Sequence, residues 1–224
     1  MPIKTLIALP CMQKVDTPFF KDFVALQRVG DTRFGVTQCS MVHDARNEFV
    51  SRAILGGYDR VLWIDSDMVY SPDLMEKLSA DMDEGREYVA ALAFKRVIPT
   101  APVVYKRIGE SKTPGIYEAQ IMKDYPKDTI FECAGTGFGC VMTSVGLLKR
   151  AWDKYGPPFF FHANLGEDLS FCYRVGQMGI PMYCDSRIKV GHLGTVVFDE
   201  KVYEWQQKNG GFFGVDAKEE VFTE

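Results

Sequence analysis

The sequence predicts a single α/β domain: a mostly parallel central sheet with helices on both faces and a small antiparallel part. Three observations lead there. Strand-like and helix-like segments alternate through the first two thirds of the chain, the order of a parallel sheet with crossover helices. Two runs, Val61-Leu62-Trp63-Ile64 and residues 88–94, are apolar throughout, as strands covered on both faces are. After residue 95, Pro99, Pro102, Pro114 and Pro126 cut the chain into short segments that suit antiparallel excursions better than further strand–helix units.

Taken in order, residues 5–9 read as a buried strand ended by Pro10. Thr17-Pro18 opens a helix to about residue 29, with proline at the first helical position. Residues 33–39 alternate as a second strand. Ala45, Phe49, Ala53 and Ile54 recur at helical spacing across 43–55, and Gly56-Gly57 ends that helix. After the strand at 61–64, Ser71-Pro72-Asp73 starts a helix with Leu74, Leu78 and Met82 on one face. Short strands are expected at 102–107, 115–122 and 129–134. The glycine-rich Gly135-Thr136-Gly137-Phe138-Gly139 precedes Cys140-Val141-Met142 and a helix from 144 to about 154. A further helix covers 166–178, and strands at 182–184 and 188–190 lead into Gly191-His192-Leu193-Gly194. From residue 196 the chain reads as a polar tail or lid, hinged at Gly210-Gly211 before Phe212-Phe213.

The 224 residues, 46% hydrophobic and 25% charged, can bury a sizeable core without disulfides. A net charge of −4 predicts no general affinity for nucleic acid or anionic lipid. The local pairs Lys95-Arg96 and Lys106-Arg107 read either as grips for an anion or as solvated surface. Cysteines at 11, 39, 133, 140, 172 and 184 include no Cys-x-x-Cys pair, and most lie in apolar surroundings. Reduced thiols and a cytoplasmic setting are expected. No apolar run approaches the ~20 residues of a bilayer span, and the N-terminus is too lightly flanked for a signal peptide.

Four constellations bear on chemistry. Asp65-Ser66-Asp67 leaves a buried strand at its carboxyl end, where open α/β sheets bind ligands. Two carboxylates there can share one Mg²⁺ or Mn²⁺ with diphosphate oxygens, or simply cap a turn. Glu167-Asp168 opens a helix. The acids either answer its dipole or supply Asp168 as a general base toward an acceptor hydroxyl. His192, between glycines at a strand end, fits a transition-metal ligand or a hydrogen-bonded structural residue. Arg46, near a helix start, fits a diphosphate clamp or a salt bridge with Asp44 or Glu48. The aromatic run Phe159-Phe160-Phe161-His162 is a wall for the site or plain core, with core favoured. From the residues alone, each pair of readings stays open.

Their order is more specific than any one of them. Ala8-Leu9-Pro10-Cys11, Ala45-Arg46-Asn47, Asp65-Ser66-Asp67, Gly135-Thr136-Gly137, Glu167-Asp168 and His192 follow one another across residues 3–195. This succession resembles the GT-A glycosyltransferases, in particular the group containing glycosyltransferase family 2 and its metal-histidine relatives. The resemblance implies a single GT-A (Rossmann-like) domain over 1–224. Its nucleotide-binding half would be 1–95, its acceptor-binding half with the late metal ligand 96–195, and its tail or lid 196–224. It implies metal ligation by Asp67 and His192, with Asp65 facing the ribose or the metal. Pro10, Arg46, Asp65, Ser66 and Gly137 would lie around the nucleotide and sugar, and Asp168 with Glu167 would carry catalysis or position the acceptor. It implies hexose transfer from a UDP- or GDP-sugar, with Mn²⁺ or Mg²⁺, to a hydroxyl on a glycan, a protein or a modified nucleobase. The Gln-x-x-Arg-Trp signature of the processive synthases is missing.

Three other classes fit parts of the pattern. Asp65-Ser66-Asp67-Met68-Val69 matches the nucleophile motif of haloacid-dehalogenase-like phosphatases, with Asp65 attacking phosphorus and Asp67 as acid/base. That motif normally closes a first strand, and here two strand–helix units precede it. A nucleotidylyltransferase should carry an N-terminal glycine-rich basic loop, which Leu9-Pro10-Cys11-Met12-Gln13 is not. A non-catalytic nucleotide-sugar or nucleic-acid binding module is the third class, with the acidic net charge against general nucleic-acid affinity.

Overall fold

The computed structural model describes residues 2–12, 14–37, 41–194 and 197–209. Cys39 and the Gly210-Gly211-Phe212-Phe213 segment expected as a lid lie outside the described residues. The elements, in chain order, are β1 (Lys4–Pro10), α1 (Thr17–Ala25), β2 (Asp31–Thr37), α2 (Val42–Leu55), β3 (Arg60–Ile64), β4 (Met68–Val69), α3 (Leu74–Asp83) and β5 (Tyr88–Leu92). They continue with β6 (Val104–Glu110), β7 (Tyr117–Ile121), β8 (Ile130–Cys133), β9 (Gly135–Thr136), β10 (Cys140–Ser144), α4 (Val145–Tyr155) and α5 (Glu167–Gln177). The last are β11 (Met182–Lys189), β12 (Gly191–Leu193), β13 (Val197–Phe198) and α6 (Glu200–Asn209).

One seven-stranded sheet, in the order β2-β1-β3-β10-β5-β11-β8, carries the domain. β3 explains why. Val61, Leu62, Trp63 and Ile64 are fully buried, and alternate side chains enter opposite layers. Val61 and Trp63 pack with Phe49, Leu147, Leu148 and Phe159 under α2 and α4. Leu62 and Ile64 pack with Phe19, Leu74, Leu78 and Met82 under α1 and α3. The one polar atom this burial traps, the Trp63 indole N–H, donates to Thr143 Oγ1 at 2.9 Å.

The parallel core is interrupted. β1 pairs parallel with β2 and β3, and β11 parallel with β5. β10 runs antiparallel between β3 and β5. The buried run Cys140-Val141-Met142-Thr143 can satisfy its backbone only inside a ladder. It enters the sheet from the end at which β3 leaves, so its direction is reversed. The two strands expected at 182–184 and 188–190 are one strand with a register shift between Asp185 and Lys189. The polar Asp185-Ser186-Arg187 hides that continuity, because Asp185 is buried and held by Arg187 at 2.8 Å. Two three-stranded sheets, β13-β12-β4 and β7-β6-β9, form the antiparallel part.

Helix α6 occupies what the sequence presents as tail. Its polarity conceals two anchors. Tyr203 packs beside Phe94, ring centroids 5.3 Å apart, in a small core with Val104 and Tyr125. Glu200 is buried and accepts hydrogen bonds from Lys189 (2.5 Å), Tyr125 Oη (2.8 Å) and Lys127 (2.9 Å). Burial alone would raise the pKa of this carboxyl, but the three donors outweigh it and hold it at about 2. A depressed carboxylate stabilises the fold above its unfolded pKa and loses that contribution as pH falls through the folded value. Glu200→Gln should therefore lower unfolding stability by about 2 kcal/mol at pH 7. The difference from wild type should shrink between pH 4.5 and pH 2 in urea titrations.

Among the described residues, no helix is long and apolar enough to cross a membrane. Cys11, Cys133, Cys140, Cys172 and Cys184 are buried and unpaired.

Candidate functional site

The site grows from the carboxyl end of β3. Asp65 N–H donates to Gly139 O at 2.9 Å and Met68 N–H to Asp65 O at 3.2 Å, so the chain turns sharply through Ser66 and Asp67. β12 is stitched to this turn. Leu193 N–H donates to Asp67 O at 2.7 Å, and His192 pairs with Met68 across the β12–β4 ladder. Gly191 is needed there, because a Cβ would lie 2.4 Å from Val197 Cγ1 and 2.7 Å from Val69 Cγ2. Residues 125 positions apart are thereby brought together, with His192 Nε2 3.2 Å from Asp67 Oδ2.

The turn borders a cleft of about 480 Å³. Pro10, Cys11 and Lys14 form one side, Ala45 of α2 another, and Asp65, Ser66, Asp67 and Arg96 the rim. It opens at the carboxyl ends of β1 and β3, where this class of sheet binds ligands.

Asp67 and His192 fit a cation. His192 Nδ1 lies 3.2 Å from the Phe94 carbonyl, which can only accept, so Nδ1 carries a proton. A neutral ring then aims the Nε2 lone pair at a carboxylate oxygen. Two acceptors face each other at that distance only with a second ring proton or a metal ion between them. Ligand atoms about 2.1 Å from one ion and at roughly right angles lie about 3 Å apart, close to the spacing seen. A backbone carbonyl orienting the far nitrogen is also the usual support of a metal-bound histidine. With no cation bound, the second ring proton fills that place and the two side chains form an ion pair. Burial would raise Asp67, yet the His192 hydrogen bond and charge, with Arg96, pull it below its usual range. Burial would lower His192, yet Asp67 raises it.

Asp65 does not join them. It lies in a salt bridge with Arg46, whose Nη2 sits 3.0 and 3.2 Å from its two oxygens. Among the described residues no three His, Cys, Asp or Glu side chains converge on one point. Of Asp65, Asp67 and His192, the structure brings the last two into contact, while a guanidinium engages the first. The same engagement leaves Asp65 ill placed as a phosphatase nucleophile.

Arg46 itself is not a free diphosphate clamp. It is 1% exposed and does not line the cleft. Nη1 donates to Glu167 Oε1 at 2.9 Å and to Asp168 Oδ1, and the guanidinium lies 5.2 Å from the Phe138 ring centre. One cation therefore spans the end of β3 and the start of α5, with its planar fork meeting three carboxylates. Burial pushes Asp65 up to about 6 against the pull of Arg46. Burial and the neighbouring Asp168 charge raise Glu167. Asp168 also accepts from Phe138 N–H at 3.1 Å. Gly137 lies under that contact, where a Cβ would come within 2.8 Å of Val103 Cγ1 and 3.6 Å of Asp168 Oδ2. Glu167 and Asp168 thus meet Arg46, and Gly137 meets Asp168, rather than the cleft rim, while Pro10 and Ser66 line the cleft directly.

The aromatic run divides. Phe159 is core, stacked on Phe171 at 4.6 Å, whereas Phe160 and Phe161 are half exposed beside His43. Lys14 and the contact between Arg96 and Asp67 were not signalled by any motif. Only the basic pair Lys95-Arg96 hinted at the second.

No protein-family model matches the chain, and no curated protein matches it in sequence. Solved structures do. A197 from STIV superposes with a TM-score of 0.63 at 20% identity, covering 86% of each chain. GalNAc-T7, solved with UDP, GalNAc and Mn²⁺, superposes with a TM-score of 0.56 at 10% identity, over 86% of this chain and 43% of that one. The chain has a GT-A fold.

Proposed function

We propose that this GT-A chain transfers a hexose from a nucleoside-diphosphate sugar to an acceptor hydroxyl, with Mn²⁺ or Mg²⁺ held by Asp67 and His192. Asp67 lines the cleft, His192 faces Asp67 at 3.2 Å, and this pair carries the assignment. The neighbour solved with UDP and Mn²⁺ supports it and favours a UDP-sugar over a GDP-sugar as donor. Five buried, unpaired thiols support a reducing, cytoplasmic setting.

The chain's own groups divide the work. Pro10, Cys11 and Ala45 give the cleft an apolar wall for a nucleoside, and Lys14 and Arg96 give it positive charge for phosphates. A bound divalent cation would stabilise the negative charge that develops on the departing diphosphate. Asp168, held behind the cleft rim by Arg46 and the Phe138 N–H, would take the acceptor proton from a hydroxyl that reaches past the rim. The acceptor is a hydroxyl of a glycan, a protein or a modified nucleobase.

A melting-temperature screen of UDP, GDP and their sugars tests the donor assignment. The true donor should raise the melting point by several degrees at 100 times its Kd, where binding adds about 2.7 kcal/mol, and only when Mn²⁺ is present. An equal rise without metal would contradict the cation's role. Asp168→Asn should bind UDP and Mn²⁺ as wild type does while transfer falls by about 10²-fold or more. Wild-type transfer by that variant would remove Asp168 from the chemistry.

A further inference from the structure

The segment between β5 and β6 carries a cation whose partner belongs to the proposed metal pair. Arg96 Nη1 lies 2.5 Å from Asp67 Oδ2, the same oxygen that His192 Nε2 faces. The Arg96 side chain is 55% exposed and borders the cleft, so it has solvent to swing into. Its segment is tied down at the base. Lys95 N–H donates to Ala101 O at 2.9 Å, and Thr100 Oγ1 donates to Lys95 O at 2.6 Å. Gln206 of α6 accepts from Thr100 N–H at 2.7 Å and donates to Thr100 O at 3.3 Å. Between these anchors Val97 and Ile98 are exposed.

We propose that Arg96 is a charge placeholder, which neutralises Asp67 in the cation-free protein and passes to the donor's diphosphate when a divalent cation takes the carboxylate. This rests on the function proposed above. A guanidinium on the Asp67 oxygen and a dication on the same oxygen repel each other, so the two states exclude one another. A diphosphate on the cation then offers the displaced fork a bidentate anionic partner at the same cleft rim. One side chain thereby weakens binding of the bare cation and strengthens binding of cation and nucleotide together, a positive coupling between the two ligands.

Mn²⁺ binding to the full chain, read from the loss of the free-ion paramagnetic resonance signal, tests this in wild type, Arg96→Gln and Asp67→Asn, with and without UDP. Arg96→Gln should bind Mn²⁺ alone about fivefold to tenfold more tightly than wild type. With Mn²⁺ saturating, it should bind UDP about tenfold more weakly. Its melting temperature should stay at the wild-type value, since the side chain is exposed. Equal Mn²⁺ affinity in Arg96→Gln and wild type, with Asp67→Asn impaired, would overturn the placeholder while leaving the metal pair standing. Wild-type Mn²⁺ affinity in Asp67→Asn would overturn the metal assignment and the placeholder with it.

Discussion

Asp67→Ala is expected to lower metal-dependent transfer by at least about 10³-fold while the protein stays folded. The carboxylate stands at the tip of a strand whose every residue from Val61 to Ile64 is buried, so the backbone that presents it is fixed by the core and not by Asp67. Its own partners are a half-exposed arginine and a partly buried histidine. Pairs still open to solvent contribute on the order of 1 kcal/mol, so unfolding stability should fall only slightly. Asp65 is occupied by Arg46, and among the described residues no third acid reaches the position to replace it. Steady-state transfer across a Mn²⁺ series, alongside a thermal melt, separates the two effects. A variant with more than a tenth of wild-type kcat/KM and an unchanged metal requirement would rule out Asp67 as the ligand.

Arg46→Leu is expected to cost about 3–5 kcal/mol of stability and to abolish transfer. Among the described residues the guanidinium is the one cation meeting Asp65, Glu167 and Asp168, and removing it leaves three carboxylates close together in a partly buried space. In the variant Asp65 and Glu167, which burial already raises, lose the guanidinium's opposing pull and rise further above their unfolded values. The deficit should therefore be largest above pH 7 and should shrink toward pH 5 as the acids take up protons. Arg46→Lys keeps the charge but not the fork, so it should recover part of the stability and little of the transfer. Urea titrations at pH 5 and pH 8 provide the check. A loss under 1 kcal/mol at both would mean that the network does not hold β3 to α5.

Much of this architecture is legible in the sequence because apolar pattern and burial coincide in the first half. The strands expected at 61–64 and 88–94 follow from continuous apolar runs, the second ending at Leu92, and the helix with Leu74, Leu78 and Met82 follows from periodicity. The antiparallel insertion of β10 is not legible. Cys140-Val141-Met142 reads as a buried strand in either direction, and only long-range pairing decides. Helix α6 is hidden for the opposite reason, since its anchors Glu200, Tyr203 and Gln206 are mostly polar and find their partners elsewhere in the chain. In the site, motif order brings Asp67 and His192 into one list, but it cannot reveal that Arg46 turns inward. An arginine beside a strand-end acid reads equally as a phosphate clamp or as a strut until the acids of a helix 120 residues later are seen against it. Arg96 is harder still, since its segment has no pattern beyond two adjacent basic residues.

The central claim is that Asp67 and His192 hold a divalent cation that binds a nucleoside diphosphate. Anomalous scattering from a crystal soaked with Mn²⁺ and UDP tests it most directly. A manganese peak is expected within about 2.2 Å of both an Asp67 oxygen and His192 Nε2, and in contact with the diphosphate. UDP bound in the cleft with no peak between those two side chains, or a peak on other ligands, would contradict the account.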